Sequence, residues 1–139
     1  MNVIFRCPIY PTEDVERVCS ALTHFFVSDS SCQETEDGYL MLSSNKRSSL
    51  DLVQQYIHAL RIIDAARKRV LSNWDGSMIS IFFDKQAAYY GKLRIVDETE
   101  EDPPLGCIQL EITFEDEAEF DGFLAWLAPP TKDGRVIVG

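Results

Sequence analysis

The segment from Cys107 to Phe114 alternates between apolar and polar side chains, and this pattern constrains the fold more than any other. The apolar positions are Ile108, Leu110, Ile112 and Phe114, and the polar positions are Gln109, Glu111 and Thr113. Successive side chains of a strand point to opposite faces of the sheet, so one face of this strand is expected to meet solvent. A sheet built on such a strand needs helices on only one of its faces.

Apolar residues recur at intervals of three and four residues in three segments, which predicts three helices. The first helix is expected to be capped by Thr12 and to end at Ser28 to Ser31. The second is the longest, running from Leu50 to roughly Ser72 with Ser49 as its cap. The last covers about Asp116 to Leu127 and stops before two prolines.

Further strands are predicted at residues 3–7, 39–42, 77–83 and 89–96, with a weaker one before a turn at Asp37-Gly38. In the strand over 89–96, Tyr90, Lys92 and Arg94 would share one face. The order β-α-β-β-α-β-β-β-α predicts an α+β two-layer sandwich, with a mostly antiparallel sheet and helices on one face. Residues 1–131 are expected to form a single domain, followed by a flexible tail over 132–139.

Charge is distributed unevenly along the 139 residues, although the formal net charge is −10. Residues 46–94 carry nine of the thirteen basic residues and only four acidic ones. The acidic remainder repels polyanions at long range, but the field of a local basic patch dominates within a Debye length of about 8–10 Å. The central block is therefore a candidate contact surface inside an acidic protein.

Catalytic and metal signatures are not recognisable in the sequence. His24 and His58 belong to no motif, and the acidic run Asp97 to Asp102 lacks the EF-hand pattern, so it is expected to be a solvated loop. We therefore predict no catalytic residue, no metal and no cofactor. The four cysteines form no C-x-x-C pair and are expected to be buried thiols. No secretory signal and no apolar run of about 20 residues is present, which makes the cytoplasm the default compartment.

Several basic residues of the central block would suit contacts with phosphates, and a tyrosine could stack on bases. The candidates are Arg61, Lys68, Lys85, Lys92 and Arg94, with Tyr90 for stacking. On a helical wheel Arg67 falls inside the apolar arc, so it needs an acceptor, and Asp64 is predicted as its ion-pair partner. The alternative is that these charges form ordinary surface ion pairs and scattered solvated charge.

Five segments together resemble an uncharacterised archaeal protein family that is described as RNA-binding. They are Cys7 to Asp14 (CPIYPTED), Arg61 to Arg67 (RIIDAAR), Asp84 to Lys92 (DKQAAYYGK), Pro104 to Gly106 (PLG) and Trp126 to Pro129 (WLAP). The resemblance covers nearly the whole chain in the same order. It implies RNA as the partner, an accessory role with the archaeal exosome, and a fold like that of large-subunit ribosomal protein five.

The resemblance also places individual residues. Arg61, Asp64 and Arg67 match the helix motif, and Lys85, Gln86, Gly91 and Lys92 match the second motif, which adds Gln86 to the RNA-binding set. This chain departs from the family in charge, at Asp84 and in its acidic runs. The second hypothesis is therefore a protein-interaction or assembly module, either a homo-oligomer or a subunit of an RNA-processing complex, whose acidic segments dock on a basic partner.

Overall fold

The computed structural model describes residues 1–27, 32–96, 103–132 and 135–136. The predicted helix end at Ser28 to Ser31 and the predicted acidic loop at Asp97 to Asp102 lie outside the described residues. In the predicted tail, residues 133–134 and 137–139 also lie outside them. No helix within the described ranges is long and apolar enough to span a membrane.

Five antiparallel strands form one open sheet. They are β1 (Asn2–Pro8), β2 (Gln33–Glu34), β3 (Tyr39–Ser44), β4 (Met78–Asp84) and β5 (Cys107–Thr113). The strands lie in the order β2-β3-β1-β5-β4, with β1 hydrogen-bonded between β3 and β5. Alternate residues of these strands are buried in one core with the helices, and the residues between them are partly exposed. The predicted α+β class, with an antiparallel sheet and helices on one face, is confirmed.

The helices pack on one face of the sheet, which we call the covered face. They are α1 (Val15–Phe25), α2 (Asp51–Ala59), α3 (Ile63–Asn73), α4 (Lys85–Tyr89) and α5 (Glu117–Leu127). A 3-10 helix over Arg47–Leu50 leads into α2, and β6 (Thr131–Lys132) pairs with β7 (Arg135–Val136) as a separate two-stranded unit. Part of the predicted tail is thus paired.

The single long helix predicted from Leu50 to Ser72 is wrong, because the chain bends between α2 and α3. Arg61 takes a positive φ of 57°, which ends α2. The bend lets α3 bury its own stripe, including Ala66 and Val70, against the core. On the wheel of one straight helix Leu60 and Leu71 also fall inside the apolar arc, which predicts that they are buried. Both are instead about half exposed.

The strand predicted over 89–96 is also wrong. Residues Lys85–Tyr89 form α4, because the carboxylate of Asp84 accepts the amide of Gln86 (2.9 Å) and caps a helix where the sequence suggested a loop. Within 85–96, the described pairing is a single bridge between Ile95 and Phe83. Tyr90, Lys92 and Arg94 therefore do not share the face of a strand.

Two predicted helix caps are also corrected. Asp14 caps α1, accepting the amide of Glu16, whereas Thr12 lies in the preceding turn. Ser49 lies inside the 3-10 helix, and its hydroxyl donates to the carbonyl of Lys46 (2.7 Å) instead of capping α2. The predicted turn at Asp37-Gly38 does connect β2 with β3.

The prediction of four buried thiols is wrong for two cysteines, because Cys19 of α1 forms a disulfide with Cys32, beside β2. The Cα atoms of this pair are 6.2 Å apart, although 13 positions separate them in sequence. Cys7 and Cys107 are thiols outside this disulfide; Cys7 is buried and Cys107 is half-buried. Burial raises the pKa of Cys7 to about 11.

Candidate nucleic-acid interface

The predicted contact residues at the end of β4 lie on and around α4. After α4 the chain reverses at Gly91, whose φ of +69° favours glycine. The amide of Lys92 donates to the carbonyl of Ala87 (3.0 Å), which closes the turn. Tyr90 stands at this turn with 76% of its surface exposed, and Lys92 is exposed two residues later.

A depression of about 360 Å³ lies between α1 and α4. Its lining includes Arg17 from α1 and Gln86, Tyr89 and Tyr90 from α4 and its turn. A second depression of about 400 Å³ shares Arg17 and Tyr89 with the first and reaches Gly91. We call the exposed part of this region the α1–α4 surface, defined by Arg17, Gln86, Tyr90, Gly91 and Lys92.

The α1–α4 surface is not uniformly basic. Glu13 and Asp14 line the first depression, and Asp14 and Glu16 line the second. Exposed cations and an exposed tyrosine therefore stand next to carboxylates. Because carboxylates interrupt the positive charge of the α1–α4 surface, a polyanion can be bound there only through a few individual contacts with cationic side chains.

Lys85 does not belong to this surface, and its prediction as an RNA contact is corrected. The side chain is 1% exposed, and its ammonium group donates to the carbonyl of Pro8 and to Glu13 Oε1 (2.5 Å). The ammonium also lies 5.1 Å from the centre of the Tyr10 ring. A buried and paired ammonium group cannot reach a phosphate without breaking this core.

Glu13 is the centre of the network around Lys85. Its carboxylate accepts hydrogen bonds from Lys85, from the Tyr89 hydroxyl and from the amide of Tyr10. Burial by itself would raise the pKa of Glu13, but these hydrogen bonds outweigh it and hold the pKa below its usual value. Burial and the Glu13 carboxylate raise the pKa of Tyr89, so its hydroxyl stays protonated and keeps donating.

The network joins three of the five segments that carry the family resemblance. Lys85, in the third segment, contacts Pro8 and Glu13 of the first, and its amide donates to the carbonyl of Gly106 in the fourth (3.4 Å). A Cβ at Gly106 would lie 3.0 Å from the Pro8 ring and 3.1 Å from the Tyr10 hydroxyl. Much of the resemblance is therefore explained by packing that holds the base of α4 in place.

The remaining two segments meet at the end of α5, where the predicted Asp64–Arg67 ion pair is not formed. Arg67 instead donates to the carbonyl of Ala128 (3.0 Å), and Asp64 accepts a hydrogen bond from the Thr131 hydroxyl. His58 likewise lies 2.9 Å from the carbonyl of Leu127. Three side chains of α2 and α3 thus hold the C-terminal end of α5 and the residues after it.

The other predicted contacts differ in their positions. Arg94 is exposed, but its Nε lies 3.1 Å from Asp84 Oδ2. This ion pair joins the two ends of the segment over residues 84–94. Arg61 and Lys68 are exposed at the α2–α3 bend and on α3, which packs on β4 and α5, whereas α4 packs on α1. Gln86 and Tyr90 are predicted residues that line one depression, and the exposed Lys92 follows two residues after Tyr90.

Arg17 was missed by reasoning from sequence. It lies outside the central basic block and on the polar side of α1, where it looked like an ordinary solvated charge. Its place beside Tyr90 depends on the packing of α1 against α4, and α4 itself was not predicted. The helix spacing of α1 alone held no signal that could have identified Arg17.

Comparisons with known proteins identify the family to which this chain belongs. A family model described as RNA binding matches residues 2–114, which covers the whole five-stranded sheet and ends before α5. A UPF0201 protein of Sulfolobus acidocaldarius is 35% identical over 96% of this chain and 90% of that protein. The UPF0201 protein of Metallosphaera sedula is also 35% identical, over 96% of this chain and 92% of that protein.

These matches show that the chain belongs to the UPF0201 family. A crystal structure of an uncharacterized UPF0201 protein has a TM-score of 0.78 and 27% identity, covering 99% of this chain and all of the other. The UPF0201 protein of Methanococcus jannaschii shares the fold, with a TM-score of 0.79, 22% identity and the same coverage.

Proposed function

We propose that this protein binds single-stranded RNA through the α1–α4 surface and catalyses no reaction. The observation that carries the proposal is the 76% exposed Tyr90, followed two residues later by the exposed Lys92, at the hydrogen-bonded turn of Gly91. An exposed tyrosine ring is a platform for an unpaired base, and a neighbouring ammonium group can contact the phosphate of the same nucleotide. The family model described as RNA binding supports RNA as the ligand.

The buried network supports the proposal through its effect on the turn. The hydrogen bonds of Lys85 and Tyr89 connect both ends of α4 to Glu13, which precedes α1, and to Pro8 of β1, so the backbone before Tyr90 is anchored. A turn whose backbone is already anchored loses less conformational entropy on binding. Lys85 thus contributes to RNA binding by positioning the turn and does not touch the RNA.

Several finer expectations remain predictions. Arg61 and Lys68 stay candidates for secondary phosphate contacts, and Arg94 stays a candidate beside its ion pair with Asp84. The association with the archaeal exosome, the likeness to large-subunit ribosomal protein five and the cytoplasmic location, which the resemblance and the composition suggested, also stay predictions.

The proposal is tested with a fluorescently labelled single-stranded RNA of about 12 nucleotides, a length within the usual range of site sizes. Affinity is measured by anisotropy between about 50 and 200 mM salt for the unchanged protein, Tyr90→Ala and Lys92→Ala. Loss of stacking in Tyr90→Ala should weaken binding by about 1–3 kcal/mol. Lys92→Ala should reduce the slope of log affinity against log salt by about 0.7, the value for one contact with a single strand.

Lys46→Ala is the matched control, because Lys46 is an exposed lysine that lies before the 3-10 helix and outside the α1–α4 surface. It should leave the salt slope unchanged. Absence of binding by the unchanged protein at low salt would contradict RNA as the ligand. Equal slopes for the Lys92→Ala and Lys46→Ala variants would contradict the choice of surface.

A second candidate function is protein interaction through α5, as the acidic composition suggested. Four acidic residues at the start and on the outer side of α5 are exposed: Glu115, Asp116, Glu117 and Asp121. The helix also lies beyond residues 2–114 that the RNA-binding family model matches. Light scattering after size exclusion tests this candidate, and a strict monomer that captures no basic protein partner would count against it.

A further inference from the structure

The sheet has one face that no described helix covers. On the strands β1, β3, β4 and β5 the helices pack against one set of alternate residues, and the other set is partly exposed. The open set includes Ile4, Arg6, Tyr39, Met41, Phe82, Gln109 and Glu111. We call this side the open sheet face. Its side chains are a mixture of aromatic, aliphatic and polar groups, and the two rings are those of Tyr39 and Phe82.

A pocket of about 260 Å³ lies at one end of the open sheet face. Its main lining residues are Arg6, Tyr10, Tyr39, Phe82, Pro103 and Gln109. Two of the three rings, Tyr10 and Phe82, are about 40% exposed. The volume lies below the range of about 300–1,000 Å³ typical of sites for drug-sized ligands, so it suits one flat ring system.

Register and hydrogen bonding place the polar groups of this pocket beside a ring. Arg6 faces Gln109 across β1 and β5, and Gln109 faces Phe82 across β5 and β4, so the three form one row. Arg6 Nε donates to Gln109 Oε1 (3.3 Å), and the guanidinium carbon lies 5.5 Å from the centre of the Tyr39 ring. The amide nitrogen of Gln109 and the outer guanidinium nitrogens of Arg6 are donors that can meet the edge of a base.

Charge on the open sheet face favours a base over a phosphate. Arg6 is the cation of the described row, and Glu111 lies two residues from Gln109 on the same face of β5. The two charges nearly balance, so a phosphate gains little there, whereas stacking on a ring requires no net charge. The sheet aromatics of RNA-recognition domains bind unpaired bases in this way.

We propose that the pocket on the open sheet face binds one unpaired nucleobase of a single-stranded RNA, stacked on Phe82 and hydrogen-bonded by Arg6 and Gln109. This inference rests on the proposed function and adds a second contact region to it. The family model described as RNA binding covers all five strands of the sheet, which supports RNA as the occupant.

The pocket lies close to the α1–α4 surface, so one strand of RNA can reach both. The turn over residues 103–106 stands between them, since Leu105 lines the depression beside Tyr90 while Pro103 and Gly106 line the sheet pocket. Tyr10 also connects the two regions, because it lines the sheet pocket and contacts Lys85 at the base of α4. Phosphates would then be held near Lys92 and a neighbouring base on the sheet.

The test uses the full chain and the same labelled single-stranded RNA, with the variants Phe82→Ala, Phe82→Leu and Phe82→Trp. Phe82→Ala and Phe82→Leu should weaken binding by about 5- to 100-fold, the loss of one stacked base, and should leave the salt slope unchanged. Phe82→Trp should retain affinity, because its ring still stacks. The unchanged slope separates this effect from Lys92→Ala, which removes a phosphate contact.

Thermal melting of each variant shows that the fold is intact, and light scattering reports its oligomeric state. If the unchanged protein binds RNA and Lys92→Ala weakens that binding while all three Phe82 variants bind normally, the base pocket is refuted and the proposed function stands. If the unchanged protein binds no RNA, both are refuted. A dimer that Phe82→Ala dissociates would assign the open sheet face to a second copy and overturn the inference.

Discussion

Lys85 and Lys92 lie seven residues apart in one segment, and the structure uses them in opposite ways. Lys85 is 1% exposed, and its ammonium group is bonded to Glu13 and Pro8. Lys92 is exposed after the turn at Gly91, beside the prominent Tyr90. Lys85 anchors α4 to the rest of the protein through buried contacts, and Lys92 lies at the protein surface.

The difference shows that a basic segment is not by itself a binding surface. Burying an ammonium group costs several kcal/mol unless a partner compensates for the lost water, so Lys85 requires Glu13. An exposed lysine carries no such cost and is available to a ligand. Substitution of Lys85 should therefore reduce the stability of the protein, whereas substitution of Lys92 should reduce RNA affinity and leave stability unchanged.

Lys85→Ala should have the largest effect on stability. Removing the ammonium group leaves the carboxylate of Glu13 buried without its cation, which typically costs about 3–5 kcal/mol. Urea denaturation followed by circular dichroism measures this loss. Lys92→Ala is the matched control, and its free energy of unfolding should stay within about 0.5 kcal/mol of the unchanged protein. Similar losses for the two variants would remove the distinction between these lysines.

Glu13→Gln should have the next largest effect, and the effect should depend on pH. The amide keeps an acceptor oxygen but loses the charge-assisted hydrogen bonds, which contribute about 1.5–3 kcal/mol at neutral pH. The pKa of Glu13 is lowered by folding, so its contribution is complete above the usual value of 4.5 and is lost as pH falls through the folded-state pKa. The difference in unfolding free energy between variant and unchanged protein should therefore shrink below about pH 4.5. A difference that is constant down to pH 3 would show that the Glu13 charge does not stabilise the fold.

Tyr89→Phe should have a smaller effect on the same network. The change removes one donor to the Glu13 carboxylate and retains the ring, so about 1.5 kcal/mol of stability should be lost, the low end for a hydrogen bond to a charged group. Urea denaturation at neutral pH gives the value. A loss as large as that of Lys85→Ala would mean that the tyrosine hydroxyl, and not the ammonium group, is the main partner of Glu13.

The sequence predicted the sheet well because its signals are local. The alternation over Cys107–Thr113 indicated one covered and one open face, and β5 has that pattern. The α2–α3 bend was not predicted, since Leu60 and Leu71 looked like core residues on a helical wheel. The helix α4 was not predicted, because residues 84–88 looked like a connection between two strands. The partners of Lys85, Arg67 and Cys19 lie 13 to 77 positions away in sequence, and no local pattern encodes contacts at that distance.

The most direct test of the central claim is a titration of isotope-labelled protein with single-stranded RNA, followed by amide chemical shifts. We expect the largest shifts at Gln86, Tyr90 and Lys92 on the α1–α4 surface, with a second group at Arg6 and Gln109 on the open sheet face. Amides of α5 should change little. Shifts confined to α3 or α5, or no shifts at low salt, would contradict binding of RNA by the α1–α4 surface.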